Sequence, residues 1–108
     1  MASELHLNVL LFQEHGHWVA QVLEKDMAAH GDDPYAALAA IGLVIQSHVN
    51  FDTRYQLPPL SRLARAPQVY WDAMTTARPL PHPEVTQWMP PAVINALITN
   101  DPVSVADC

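Results

Sequence analysis

Four carboxylates, Glu24, Asp26, Asp32 and Asp33, are the side chains whose type and spacing most invite a chemical reading. Carboxylates that converge can hold divalent cations for phosphodiester hydrolysis. Glu24 and Asp26 share a parity on an extended strand, so they are able to face the same way. Asp32 and Asp33 have a competing explanation. They stand directly before Pro34 at the head of a helical pattern, where an aspartate caps free backbone N–H groups. A segment this acidic also repels a phosphodiester. A metal-dependent nuclease is therefore a distant third among the functional readings.

The other reactive residue types are weaker still. His15-Gly16-His17, with His6 and His30, suggests a metal site, but Gly16 marks a turn rather than a strand. Zinc sites call for three or four convergent ligands, and the chain offers no cysteine pair to help. The single cysteine, Cys108, is the last residue, so nothing orients it as a nucleophile and no intramolecular disulfide can form. Ser3, Ser47, Ser61 and Ser104 lack the flanking glycines of a nucleophile elbow. The three glycines are isolated, which excludes a phosphate-cradling loop. We expect no catalytic residue, no cofactor and no metal.

The elements that would position these groups fall into two unlike halves. Residues 1–53 carry seven acids against one base, Lys25, for a charge of −6; residues 54–108 carry four acids and four arginines. Nine of the ten prolines lie between Pro58 and Pro102. The first half therefore reads as a regular folded unit and the second as a chain of short pieces. An acidic first half disfavours direct binding of nucleic acid and suits a basic protein partner, although the same charge also serves plain solubility.

In the first half, Leu5–Phe12 and His17–Leu23 alternate as strands around the junction Gln13–Gly16. Leu10 and Phe12 interrupt the polar face of the first strand, so its far end is expected to be covered on both sides. A short run, Met27–His30, precedes Gly31-Asp32-Asp33-Pro34, and then Leu38, Ile41, Ile45 and Val49 recur at helical spacing. This helix is expected to end near Asn50 or Phe51. Gly42 inside it suggests close packing on the sheet. Beyond it, Leu57–Leu60 forms an extended elbow, Pro67–Thr76 a second helix, Arg78–Pro91 an extended linker, and Ala92–Thr99 a strand. That last run is able to pair in cis or with a neighbour. Tyr70 and Trp71 point to different helix faces; Tyr70 reads as a core residue, while Trp88 divides evenly between core plug and partner anchor.

The series Leu7-Asn8-Val9-Leu10, Trp18-Val19-Ala20-Gln21, Leu23-Glu24, Asp26, Ala28-Ala29 and Gly31 resembles the HicB-like family of antitoxin-type proteins. That family shows an aromatic-Val-Ala/Ser strand, a short acidic-apolar bend, and Gly-Asp/Thr-x-x-x-Ala opening the helix. Trp18-Val19-Ala20, Glu24–Asp26 and Gly31-Asp32-Asp33-Pro34-Tyr35-Ala36 occupy those places. Ala66-Pro67-Gln68-Val69-Tyr70-Trp71 is similar to a tail of a stand-alone HicB-like subgroup. The resemblance covers residues 5–50 well and 51–75 loosely. It departs from full-length antitoxins, because residues 54–108 hold neither a helix-turn-helix nor a ribbon-helix-helix module.

The resemblance implies a partial ribonuclease-H-like fold and a partner of the HicA type, a small basic ribonuclease with a double-stranded-RNA-binding-type fold. The resulting expectation is an α+β protein. A three-stranded antiparallel sheet packed by one long helix (residues 1–53) leads to an elbow and short second helix packing on it (54–78), then a Pro-rich C-terminal arm (79–108). It is expected to act without catalysis as an antitoxin or accessory protein, with Glu24, Asp26, Asp32, Asp33 and Trp88 contacting the partner. The alternative is an orphan homo-oligomeric module that binds protein or ligand and has no toxin. Open sheet edges favour a homodimer or higher homo-oligomer in either case. The N-terminus lacks the pattern of a signal peptide and Ala36–Ile45 is too short to cross a bilayer, so a cytoplasmic protein without a membrane partner is expected.

Overall fold

The computed structural model describes residues 5–81, 92–100 and 103. Strand β1 (Leu5–Glu14) pairs antiparallel with β2 (His17–Val22), with Glu14 opposite His17. The junction is thus two residues, tighter than the four expected. His15 and Gly16 both adopt positive φ, 51° and 81°, as a two-residue type I′ hairpin requires. Such a turn matches the right-handed twist of the strands it joins, which lets β1 run on to Glu14. Strand β3 (Met27–Gly31) follows antiparallel to β2.

Helix α1 (Pro34–Arg54) begins as its sequence demands. Asp33 is extended, at φ −142° and ψ 171°, and its Oδ1 accepts the Ala36 N–H at 2.8 Å. Pro34 loses nothing in the first turn, where N–H groups lack helical partners. The helix outlasts the expected end by one turn. Asp52 holds that extra turn in place: it is fully buried and accepts hydrogen bonds from Leu60 N–H and Arg62 Nε, each 2.6 Å. Arg62 recurs ten positions downstream, so helical periodicity alone gave no sign of it.

Two expectations about the sheet are corrected. It has five strands rather than three, and it is mixed rather than antiparallel, in the order β3-β2-β1-β5-β4. Strand β5 (Ala92–Ile98) runs parallel to β1, with Leu7 opposite Ile94 and Leu11 opposite Ile98. Strand β4 (Arg78–Pro79) pairs antiparallel with β5, and Leu80 N–H donates to the Ala96 carbonyl at 2.9 Å. The reason is an unsatisfied edge. In a three-stranded sheet β1 would expose a full row of backbone donors and acceptors beside apolar Leu7, Val9 and Leu11. The β-branched run of β5 fills that edge in cis. The arm is therefore partly sheet, and β1 becomes its centre.

Both faces of the sheet are covered. On one, Leu7, Val9, Leu11, Ala20, Val22, Met27 and Ala29 pack with Ala37, Leu38, Ile41, Ile45 and Val49 of α1. Gly42 is buried with them. Gly31 explains how tightly α1 sits there: an added Cβ would collide with the backbone of Ala36 and Ala37. On the other face, Leu10, Phe12, Val19 and Leu23 form a second cluster under Ala66 and helix α2 (Gln68–Met74). This is the two-sided cover that Leu10 and Phe12 signalled.

Candidate partner-binding edge

Strand β3 lies at one end of the sheet, next to β2 alone among the described residues. Met27 and Ala29 point into the core under α1, whereas Ala28 and His30 are exposed. The cover over the opposite face stops short of β3. This strand therefore presents both its backbone edge and one face to solvent. Edge strands are commonly blunted by lysine, proline or inward-pointing charge. Met27-Ala28-Ala29-His30-Gly31 has none of these. The far edge, β4, is two residues long and contains Pro79.

The four carboxylates flank this strand, Glu24 and Asp26 before its start, Asp32 and Asp33 after its end. The six residue steps from Asp26 to Asp32 along this strand place about 20 Å between the two pairs. The shared parity expected for Glu24 and Asp26 does not hold, because β2 ends at Val22 and the two residues stand in the turn that follows. Glu24 folds back onto β1, where Oε1 accepts the Asn8 N–H at 2.7 Å and Oε2 accepts Asn8 Nδ2 at 2.6 Å. Asn95 Nδ2 in turn donates to Asn8 Oδ1 at 2.9 Å, which ties β5 into the same chain. Asp26 instead accepts Gln21 Nε2 at 2.8 Å, and its N–H donates to the Ala64 carbonyl at 2.6 Å.

These contacts sort the expected site residues by how free they are. Glu24, Asp26 and Asp33 each have a structural hydrogen bond, and each still contributes its negative charge. Asp32 is exposed and has no hydrogen-bond partner among the described residues. Trp88 lies outside the described residues. No three His, Cys, Asp or Glu side chains come together in a way that could hold a metal ion among the described residues. His6, His15, His17 and His30 are all exposed.

Sequence reasoning missed the polar residues that hold this region together. Gln21 is buried within the second strand, where it bridges the Val22 carbonyl and Asp26. Its signal was present: one amide in an otherwise apolar alternation. Asn8 carried the same mark. Tyr70 packs its ring 5.7 Å from Phe12, as expected of a core residue, and its hydroxyl is harder to ionise than usual. Burial is the main cause, followed by the negative charges of Glu14 and Asp26. Trp71 lies beneath the Arg65 guanidinium, 4.3 Å from the ring centroid.

No helix among the described residues is long and apolar enough to cross a membrane. Comparison of the chain with protein-family models, with curated proteins and with solved structures yields no match.

Proposed function

We propose that this protein is a binding module of the HicB-like antitoxin type, which uses the β3 edge to take up an extended segment of a small basic protein. One observation carries the reading: an undefended edge strand is bracketed at both ends by carboxylates. Backbone donors and acceptors along Met27–Gly31 supply pairing for an added strand, and Ala28 and His30 are small enough or flexible enough to sit beside it. Glu24 and Asp26 at one end, with Asp32 and Asp33 at the other, favour a strand carrying lysine or arginine at its flanks. The β-β-β-α order of the first 54 residues supports the likeness to the family. A ribonuclease held this way would have its basic surface covered, and neutralisation would need no catalysis.

The test is capture of the basic partner from the native host, followed by titration against defined variants. Asp32→Lys is the cleanest probe, because Asp32 neither caps α1 nor ties a loop. We expect a stoichiometric basic protein whose ribonuclease activity falls on binding. Asp32→Lys should weaken binding about tenfold, and added salt should weaken it further. Absence of such a partner, or binding indifferent to salt and to Asp32→Lys, overturns the reading.

A further inference from the structure

The outward face of α1 is unlike the solvent face of an ordinary surface helix. Between Pro34 and Phe51 the helix contains no Asp, Glu, Lys or Arg. Its core side is accounted for by Ala37, Leu38, Ile41, Ile45, Val49 and Asp52. The opposite side exposes Ala36, Leu43, Ser47, Asn50 and Arg54, with half-buried Ala40, which also packs against the core, at its margin; the six recur at spacings of four, three, four, three and four. That is the seam spacing of paired helices. Leu43, near its middle, is 75% exposed, more than any other large apolar side chain of the described residues. Beside this seam Phe51 is 46% exposed, with one ring face against the Arg62 guanidinium at 4.5 Å.

The charges sit only at the ends, and they are opposite. Asp32 and Asp33 precede the helix, and Arg54 closes it. A helix of 21 residues is about 30 Å long, so the ends cannot neutralise each other within one molecule. They can do so between two molecules. We propose that α1 is the interface of a two-fold symmetric dimer in which the helices of two copies pack antiparallel along this seam. In that pairing Leu43 of each copy meets Ser47 of the other, Ala40 meets Asn50, and Ala36 meets Arg54. The small residues leave room for Leu43. Each Arg54 falls within one helical turn of Asp32 and Asp33 of the second copy, and the two helix dipoles run in opposite directions. A parallel arrangement would instead place the acids together. Charge complementarity therefore selects a second copy of this chain over a uniformly basic or acidic partner.

This surface is centred on Leu43 and shares only Asp32 and Asp33 with the β3 edge, so Leu43→Lys and Arg54→Glu, which leave that edge untouched, test the dimer apart from partner capture. An interface of one helix pair is at the small end of specific interfaces, which makes the dimer reversible and dependent on concentration. Sedimentation velocity over a wide concentration range should show monomer passing to dimer. Leu43→Lys, checked as folded by circular dichroism, should raise the dissociation constant at least about tenfold. Arg54→Glu should also weaken the dimer, because it brings three like charges together at each end of the pair. Combining Arg54→Glu with Asp32→Lys should restore association. A chain that stays monomeric throughout overturns the proposal. So does a dimer indifferent to Leu43→Lys, or an Arg54→Glu defect that Asp32→Lys leaves unrepaired.

Discussion

Asp52 and Arg62 are joined by a 2.6 Å hydrogen bond from Nε to Oδ1, and this ion pair ties the last turn of α1 to the loop that leads under the sheet. The Asp52 side chain is wholly buried, whereas Arg62 remains about one-third exposed at 36%. Asp52 also accepts the Leu60 N–H, and Leu60 is itself buried in the α1-side core. The pair therefore positions an apolar side chain as well as satisfying two donors.

Removing the acceptor should cost more than removing the donor. Asp52→Ala leaves the Leu60 N–H and the Arg62 guanidinium without their partner inside the fold, for an expected loss of about 3 kcal/mol. Arg62→Ala leaves Asp52 with the Leu60 bond and nearby water, and should cost about half as much. Urea unfolding of both variants checks the order. Equal losses would show that Leu60 packing, not the carboxylate, dominates.

Stability should also depend on acid through this one group. Burial alone would push the Asp52 carboxyl up; the hydrogen bonds from Arg62 and Leu60 and the charges of Arg62 and His48 outweigh it, so its pKa lies below the ordinary 3.8. The folded state thus binds this proton less readily than the unfolded chain. The contribution is fully present above about pH 4 and is lost as pH falls through the lowered folded-state value. Unfolding midpoints measured from pH 7 downward should drop more steeply below about pH 4 for the natural chain than for Asp52→Asn.

The glycines at either end of the β-hairpin unit should respond to alanine for different reasons. At Gly31 a Cβ would lie 2.6 Å from the Ala36 carbonyl carbon and closer still to the Ala37 nitrogen, so α1 must lift from β3. The expected loss is about 1–3 kcal/mol, with reduced protection of α1 amides from exchange. At Gly16 no atom lies within 4 Å of the added Cβ, but φ is +81°. There the cost is backbone strain alone, about 1 kcal/mol. Amide exchange should separate the cases, since Gly16→Ala affects the hairpin tip and leaves α1 intact.

Phe12→Ala tests whether the α2 layer is part of the cooperative fold. Phe12 is 1% exposed and stacks against Tyr70. Truncation should cost about 3–5 kcal/mol and release Tyr70 and Trp71 toward solvent. A red-shifted tryptophan emission with the sheet still folded would mark α2 as a separable flap. Loss of all structure together would mark one cooperative unit.

How much of this was legible beforehand depends on the range of the interaction. The first three strands, β5, an aspartate cap before Pro34, and the apolar face of α1 follow from local rules of alternation, capping and helical period. The structure makes Asp33 rather than Asp32 the cap, runs β1 two residues past the expected Phe12, and adds β4 where a linker was expected. The burial of Leu10 and Phe12 on a second face was legible too, because a strand apolar on both sides needs two covers. Asp52 was not. A lone acid near a helix end reads as solvated until Leu60 and Arg62 are brought to it. Glu24 and Asp26 were paired by strand parity, and a turn separated them.

The sequence by itself determined the elements, the capped start of α1 and the acidic character of the β3 surroundings, because each arises from residues within a few positions of one another. Only the tertiary structure decided that β5 closes the β1 edge in parallel, that β3 is left as an edge strand, and that Leu43 faces outward. Those outcomes depend on segments as far apart as Asn8 and Asn95, whose meeting no local pattern encodes. Backbone hydrogen bonding demands that the β1 edge be filled; which segment fills it is settled by the whole chain folding back on itself.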